Sequence, residues 1–187
     1  MSLVVLGIGR PDCAAQVESG RARSIVTSEL VERLGQSGWL IVDVRDSNAF
    51  NGWIVGQQKR GGHIRGATNL ALRWMETYEE EAIRLVESKG FRGNQIVLYG
   101  NSASDANRMA SWLRNRAQLS PDQLFVYAEG IVAWSRDNTL PMDRLPRYEK
   151  LVPPQWVHQL IEEGNSDDYR IVEVNWRKNT SPFGMDY

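Results

Sequence analysis

Short apolar runs alternate along the chain with segments in which apolar residues recur at helical spacing. The runs at 25–26, 39–44, 95–99 and 123–127 are rich in β-branched and aromatic residues, which favours β-strands. Segments 29–34, 71–75, 79–89, 104–117 and 131–134 are predicted to be helices. This alternation is typical of an α/β domain with a mainly parallel sheet, in which ligands bind beyond the carboxyl ends of the strands.

Residues 95–113 place a polar loop between a buried strand and an amphipathic helix. The loop consists of Gly100, Asn101, Ser102, Ala103, Ser104 and Asp105. The spacing of Ser102 and Asp105 is that of a capping box, which satisfies amide groups in the first helical turn. Amide groups at such a helix start form a potential anion cradle. The loop occupies a usual position for a nucleophile, but Gly100 has no reactive side chain.

A second copy of the first helix and strand follows the main domain. Residues 25–34 align with 151–160, and residues 41–44 align with 171–174, with an expansion around 165–168. Such a repeat predicts the start of a second, similar unit. Pro141 and Pro146, among mixed charges, are typical of a linker. We therefore predict a tail over 1–23, an α/β domain over 24–138, a linker over 139–150 and the truncated start of a second unit over 151–187.

The bulk composition narrows the classes of partner. The 187 residues are 42% hydrophobic and 24% charged, with a formal net charge of −1. Such a chain is globular and has no global attraction to nucleic acid or to an acidic membrane surface. The apolar run Leu3 to Leu6 is too short for a membrane span or a signal-peptide core. With no intact signal visible, the compartment, periplasmic or cytoplasmic, stays open.

Few residues are available for metal or thiol chemistry. The chain has one cysteine, Cys13, and two histidines, His63 and His158, which excludes an internal disulfide and a Cys/His zinc site. We expect no metal and no cofactor. Cys13 precedes the first strand in a stretch of Gly, Pro, Ala and Ser, where an inert thiol is expected because a reactive cysteine needs a fixed electropositive setting.

The chain resembles the rhodanese-like domains over residues 24–138. Four segments follow one another in the family's order: WLIVDVRDSNAF, GGHIRGATNL, QIVLYGNSASDANRMASWL and EGIVAW. The repeat resembles the tandem arrangement of longer sulfurtransferases. The segment LPRYEKLVPPQW, together with the glycine after Leu98 and Tyr99, looks most like the amino-terminal module of multi-domain thiosulfate sulfurtransferases of the YnjE type.

This resemblance implies a three-layer α/β/α domain with a mainly parallel five-stranded sheet. In the family, a cysteine after the central strand becomes a persulfide and passes sulfane sulfur from thiosulfate or mercaptopyruvate to cyanide or a thiol. That cysteine position falls on Gly100 here, so residues 100–105 are expected to be a vestigial active-site loop with no catalytic residue. Asp105, where family loops often hold a cationic or small polar residue, is expected to repel thiosulfate.

Other positions depart from related patterns as well. Arg65 stands where the GHI-x-GA phrase usually has proline, and Ala128 and Glu129 replace the Asp-Gly expected before Gly130. Phosphatases of this fold need a cysteine followed after five residues by arginine. Counted from Gly100, the arginine position holds Ala106, so both the nucleophile and the phosphate clamp of that chemistry are missing.

Three polar residues in the family motifs are expected to be structural. Asp43 and Arg45 end a strand and are predicted to pair with each other or with the turn at His63. Carboxylates at strand ends commonly tie down loops without acid–base work. His63 has no nucleophile to activate, so we expect no proton transfer from it.

Three functional hypotheses remain. The first is a vestigial module of a tandem sulfurtransferase, with a structural or interaction role towards other rhodanese modules of the same full-length protein or a partner protein. The second is an active sulfur-transfer enzyme or carrier that uses Cys13. The third is an anion-sensing module, which predicts sulfate or phosphate bound at residues 100–104.

Overall fold

The computed structural model describes residues 21–152, 154–164 and 169–172. The chain divides into two compact units between Tyr148 and Glu149. Cys13 and most of the predicted tail lie outside the described residues. Within the described ranges, no helix has both the length and the apolar character to cross a membrane.

A five-stranded parallel sheet forms the centre of the first unit. The strands of this unit are β1 (Arg23–Ile25), β2 (Trp39–Asp43), β3 (His63–Ile64), β4 (Thr68–Asn69), β5 (Gln95–Tyr99), β6 (Leu124–Tyr127) and β7 (Met142–Asp143). The central sheet has the order β1-β6-β5-β2-β4, and all of its strand pairs are parallel. The predicted α/β class with a mainly parallel sheet is confirmed.

Helices cover both faces of this sheet and complete three layers. They are α1 (Thr27–Arg33), α2 (Ser47–Asn51), α3 (Leu72–Thr77), α4 (Glu79–Ser88), α5 (Ala103–Asn115) and α6 (Gly130–Arg136). Side chains alternate across a strand, so β5 contributes to two cores. Ile96 and Leu98 belong to the core with α3, α4 and α5, whereas Val97 and Tyr99 belong to the core with α1 and α6.

The segment that holds the Gly100 loop folds as its sequence pattern predicts. Strand β5 has the predicted bounds, and four of its residues are buried. Helix α5 buries Ala106, Met109, Ala110 and Leu113 on one face, and this spacing packs it against the sheet. The loop therefore lies at the carboxyl edge of a central strand, between two rigid elements.

The predicted linker over 139–150 differs from the structure over most of its length. Strand β7 pairs antiparallel with β3, with His63 opposite Asp143 and Ile64 opposite Met142. Leu140 and Met142 also pack against the core on the α6 side. Residues 139–148 thus belong to the first unit, because alternate apolar residues around Pro141 face its interior.

The short helix α2 was not predicted from the sequence, since residues 47–51 carry few apolar positions.

The second unit contains one described helix, α7 (Pro154–Glu163). Leu160 is its buried residue, and the rings of Trp156 and Tyr169 lie 6.2 Å apart. The repeat predicts a strand over 171–174, but residues 171–172 have no regular secondary structure and residues 173–174 lie outside the described part. That the second unit is a truncated copy of the first stays a prediction.

Candidate functional site

Gly100 is buried at the point where β5 leaves the sheet. Its carbonyl accepts a hydrogen bond from the Ile131 amide at 3.0 Å, and the Tyr99 carbonyl accepts one from the Val44 amide at 3.0 Å. Gly130 has φ +63°, and a Cβ there would lie 2.7 Å from the Gly100 oxygen. Glycine at 130 therefore allows the start of α6 to approach the Gly100 loop closely.

The space around Gly100 is filled by its neighbours. A Cβ at Gly100 would lie 3.0 Å from Asp105 Cβ and 3.1 Å from Val44 Cγ2. It would also lie 3.4 Å from the carbonyl oxygen of Ser102. These contacts are tight, so a side chain at this position requires its neighbours to move by a few tenths of an ångström.

The rest of the loop forms the cap of α5. Ser102 Oγ accepts a hydrogen bond from the Asp105 amide at 3.4 Å and donates one to Asp105 Oδ2 at 3.1 Å. Asn101, Ser102 and Ser104 are exposed, while Ala103 and Asp105 are half-buried. Residues 100–105 contain no thiol, imidazole or cationic side chain, and Asp105 supplies their one formal charge.

Asp43 and Arg45 form a buried ion pair below this edge of the sheet. Arg45 Nε donates to both carboxylate oxygens of Asp43, at 2.9 and 3.1 Å, and Arg45 Nη2 donates to the Gly62 carbonyl at 2.8 Å. Burial lowers the pKa of Arg45, but hydrogen bonds and charge from Asp43 outweigh it and raise the pKa overall. The guanidinium therefore stays charged and joins the end of β2 to the turn before β3.

Tyr99 extends this network and was not singled out from the sequence. Its hydroxyl donates to Asp43 Oδ2 at 2.9 Å and accepts from the Ile64 amide at 3.0 Å. Burial, reinforced by the charge of Asp43, raises the pKa of Tyr99 well above its ordinary value. The phenol is consequently a neutral structural group that links β5, β2 and β3.

Alkaline solution should destabilise the wild-type chain more steeply than the Tyr99→Phe variant. Because the folded pKa of Tyr99 is raised, its contribution is complete below the unfolded value of about 10 and is lost as pH rises towards the folded value. Urea unfolding at a series of pH values from about 9 to about 11 measures the slope. Equal slopes for the two proteins would contradict this. The exposed Tyr78→Phe variant is the control and should follow wild type.

His63 contacts Phe50, and among the described residues no hydrogen bond joins it to the Gly100 loop. Its Nδ1 donates to the Phe50 carbonyl at 2.7 Å, and its ring stacks on Phe50 with 3.7 Å between centroids and 7° between planes. The imidazole thereby joins α2 to β3. This geometry gives His63 a structural contact in place of a reacting partner.

The end of β6 carries a second polar group that sequence reasoning did not identify. Thr27 Oγ1 lies 2.8 Å from the Tyr127 hydroxyl and donates to Glu129 Oε2 at 3.2 Å. Burial raises the pKa of Tyr127. Glu129 is one of the two departures from the Asp-Gly phrase, and its carboxylate ties β6 to the start of α1.

A cleft on the first unit lies away from Gly100. It has a volume of about 790 Å³ and follows the exposed side of α5. Among residues 100–105, only Ser104 lines it. Within the described ranges, no group of three His, Cys, Asp or Glu residues is arranged to hold a metal ion.

Comparisons with known proteins relate the chain to one family, to one sequence relative and to solved structures. Residues 26–137 match the family described as "Rhodanese-like domain". "Thiosulfate sulfurtransferase YnjE" of Escherichia coli strain K12 is 24% identical over 183 residues, which cover 94% of this chain and 39% of that protein. Solved structures of EanB, as wild type and in complex with hercynine, are 32% identical with a TM-score of 0.66, and the match covers 80% of this chain and 34% of theirs. The chain thus spans well under half the length of these relatives.

Proposed function

Because the chain belongs to the rhodanese-like domain family, we propose that it is a catalytically vestigial module of a larger, multi-domain sulfurtransferase. The family predicted from the four sequence segments is confirmed. The YnjE-type relationship predicted from LPRYEKLVPPQW and from the glycine after Tyr99 is confirmed as well. The module's role in our proposal is structural or interactive. It supports other rhodanese modules of the same full-length protein, or a partner protein, which supply the reactive cysteine.

The buried Gly100 carries this proposal. Sulfane transfer needs a thiolate that attacks the outer sulfur of thiosulfate. The sulfur–sulfur bond of thiosulfate then breaks, sulfite leaves with the bonding electron pair, and a persulfide remains on the protein. At the end of β5 the chain has no side-chain atom to form that bond, and Val44 and Asp105 closely border the position that the Cβ of a side chain would take.

The relatives support a place within a longer protein. This chain covers 39% of YnjE, which is named a thiosulfate sulfurtransferase, and 34% of EanB, for which a persulfidated cysteine covalently linked to ergothioneine has been solved. Sulfane sulfur is therefore the chemistry that we propose for the full-length protein. The Asp43–Arg45–Tyr99 network supports a retained structural role, because it fixes the sheet edge without any reacting group.

Incubation of the purified chain with thiosulfate should leave its mass unchanged. Intact-mass spectrometry under non-reducing conditions detects a persulfide as a gain of one sulfur atom, and Cys13→Ala is the matched control. A stable gain in wild type that disappears in Cys13→Ala would overturn the proposal and favour the alternative in which Cys13 carries sulfur.

The anion-sensing alternative is separated by titration. The cradle of amide groups at the start of α5 also contains the Asp105 carboxylate, which opposes an oxyanion. Calorimetric titration with sulfate and with phosphate should therefore show no binding. Saturable binding of either ion, weakened by Ser102→Ala, would favour the sensing role instead.

A further inference from the structure

The start of α5 already holds an anion. Asp105 is the third residue of this helix, and its backbone amide and carboxylate both bond to Ser102 Oγ. The positive end of a helix dipole stabilises a negative charge in the first turn. In a rhodanese-type site the same helix start would stabilise a thiolate. Here the Asp105 carboxylate is the negative charge at that helix start.

The carboxylate is also close to where a thiolate would lie. The Cβ of a side chain at position 100 would be 3.0 Å from Asp105 Cβ, and a cysteine sulfur and the Asp105 carboxyl carbon would each be one bond from this close pair of atoms. Gly100 is buried and Asp105 is half-buried, with its carboxylate in an exposed hydrogen bond to Ser102 Oγ. A thiolate and Asp105 would therefore repel each other across a short gap that water screens only in part.

We infer that Asp105 is a second block on sulfur transfer in this module, independent of the missing thiol. This inference rests on the proposed function, since it concerns the same vestigial site. A cysteine introduced at position 100 alone would share the helix start with a carboxylate, which disfavours its thiolate form. The same carboxylate would repel the approaching thiosulfate dianion. Fast reaction at this position requires removal of that charge as well as addition of the sulfur.

The test compares four variants in a Cys13→Ala background, so that an introduced cysteine at position 100 is the chain's only thiol and Asp105→Asn alone is a thiol-free control. They are Gly100→Cys, Gly100→Cys with Asp105→Asn, Gly100→Cys with Asp122→Asn, and Asp105→Asn alone. Asparagine has the shape of aspartate without its charge, so it separates repulsion from crowding. Asp122 is an exposed carboxylate before β6, at the opposite edge of the sheet, and is the matched control.

Two rates are measured for each thiol. Alkylation by neutral iodoacetamide across a pH series reports the thiol pKa, and intact mass after thiosulfate treatment reports persulfide formation. We expect Asp105→Asn to move the alkylation profile about one pH unit lower and to speed persulfide formation roughly tenfold or more. Asp122→Asn should change neither rate. Circular dichroism verifies that each variant is folded.

The outcomes distinguish failure of the proposed function from failure of the Asp105 inference. Sulfur uptake by wild type that is lost in Cys13→Ala refutes the proposed function, whatever Asp105 does. An alkylation profile and a persulfide rate that Asp105→Asn leaves unchanged overturn the Asp105 inference alone, as does absence of reaction in the folded double variant. If Gly100→Cys does not fold, Val44→Ala is added to all variants, because it removes the other close contact at 3.1 Å.

Discussion

Replacement of Arg45 with alanine should lower the free energy of unfolding by about 3–5 kcal/mol. The guanidinium is 1% exposed and Asp43 is completely buried. Removal of the Arg45 guanidinium leaves the Asp43 carboxylate in the interior. The Tyr99 hydroxyl is then the remaining side-chain donor to this carboxylate. The substitution also removes the hydrogen bond to the Gly62 carbonyl. A buried charge without its partner is strongly destabilising, because its lost hydration is no longer compensated.

Urea unfolding at neutral pH measures this loss. Arg65→Ala is the matched control, since Arg65 pairs with Asp143 at 3.2 Å but the two side chains are 63% and 43% exposed. An exposed pair of this kind contributes about 0–1 kcal/mol. Similar losses for Arg45→Ala and Arg65→Ala would show that the buried network does not hold this edge of the sheet.

Trp134→Ala should have a comparable effect, about 3–5 kcal/mol. Trp134 is fully buried, packs edge-on against Tyr127 at 6.0 Å and donates from Nε1 to the Pro141 carbonyl at 3.1 Å. Truncation leaves a large cavity in the core on the α6 side. It also removes the hydrogen bond from Trp134 to the Pro141 carbonyl. The Arg65 amide still donates to that carbonyl, so the β3–β7 pair should open more often but remain formed.

Two measurements distinguish these consequences. The midpoint of urea unfolding reports the total loss, and hydrogen exchange at the Arg65 amide, which donates to the Pro141 carbonyl at 3.2 Å, reports the contact between β3 and β7. Trp74→Ala, at a side chain that is 36% exposed, should cost much less because little cavity forms. Unchanged exchange at the Arg65 amide in Trp134→Ala would contradict the proposed contribution of the Trp134–Pro141 hydrogen bond.

The sequence predicted the elements whose signal is local and repeated. Strand β5 and helix α5 follow from an uninterrupted apolar run and from apolar residues at 106, 109, 110 and 113. The Gly100 loop between them could be placed for the same reason. Strand β7 could not be predicted because its two residues, Met142 and Asp143, are too few to show a periodicity. Its pairing with β3 depends on contacts more than seventy residues away in sequence.

Polar roles that depend on strand register could not be predicted either. Tyr99 looks like another apolar member of β5, and only the register that sets it opposite Asp43 reveals its hydroxyl as a hydrogen-bonding group. Arg60 is a comparable case in a polar loop. It donates to the carbonyls of Trp134, Ser135 and Asp137 at the end of α6, where a cation meets the negative end of the helix dipole.

The hydrogen bond from the Ile131 amide to the Gly100 carbonyl has a consequence for how such a module can evolve. It joins the Gly100 loop to the start of α6 through main-chain atoms, so it depends on no reactive side chain. Proline at 131 would remove it, and a side chain at 130 would crowd the Gly100 oxygen. Side chains at 101, 102 and 104 are exposed and take no part in it. The backbone architecture of this loop is thus independent of its side-chain reactivity, so selection for the fold alone is sufficient to maintain it.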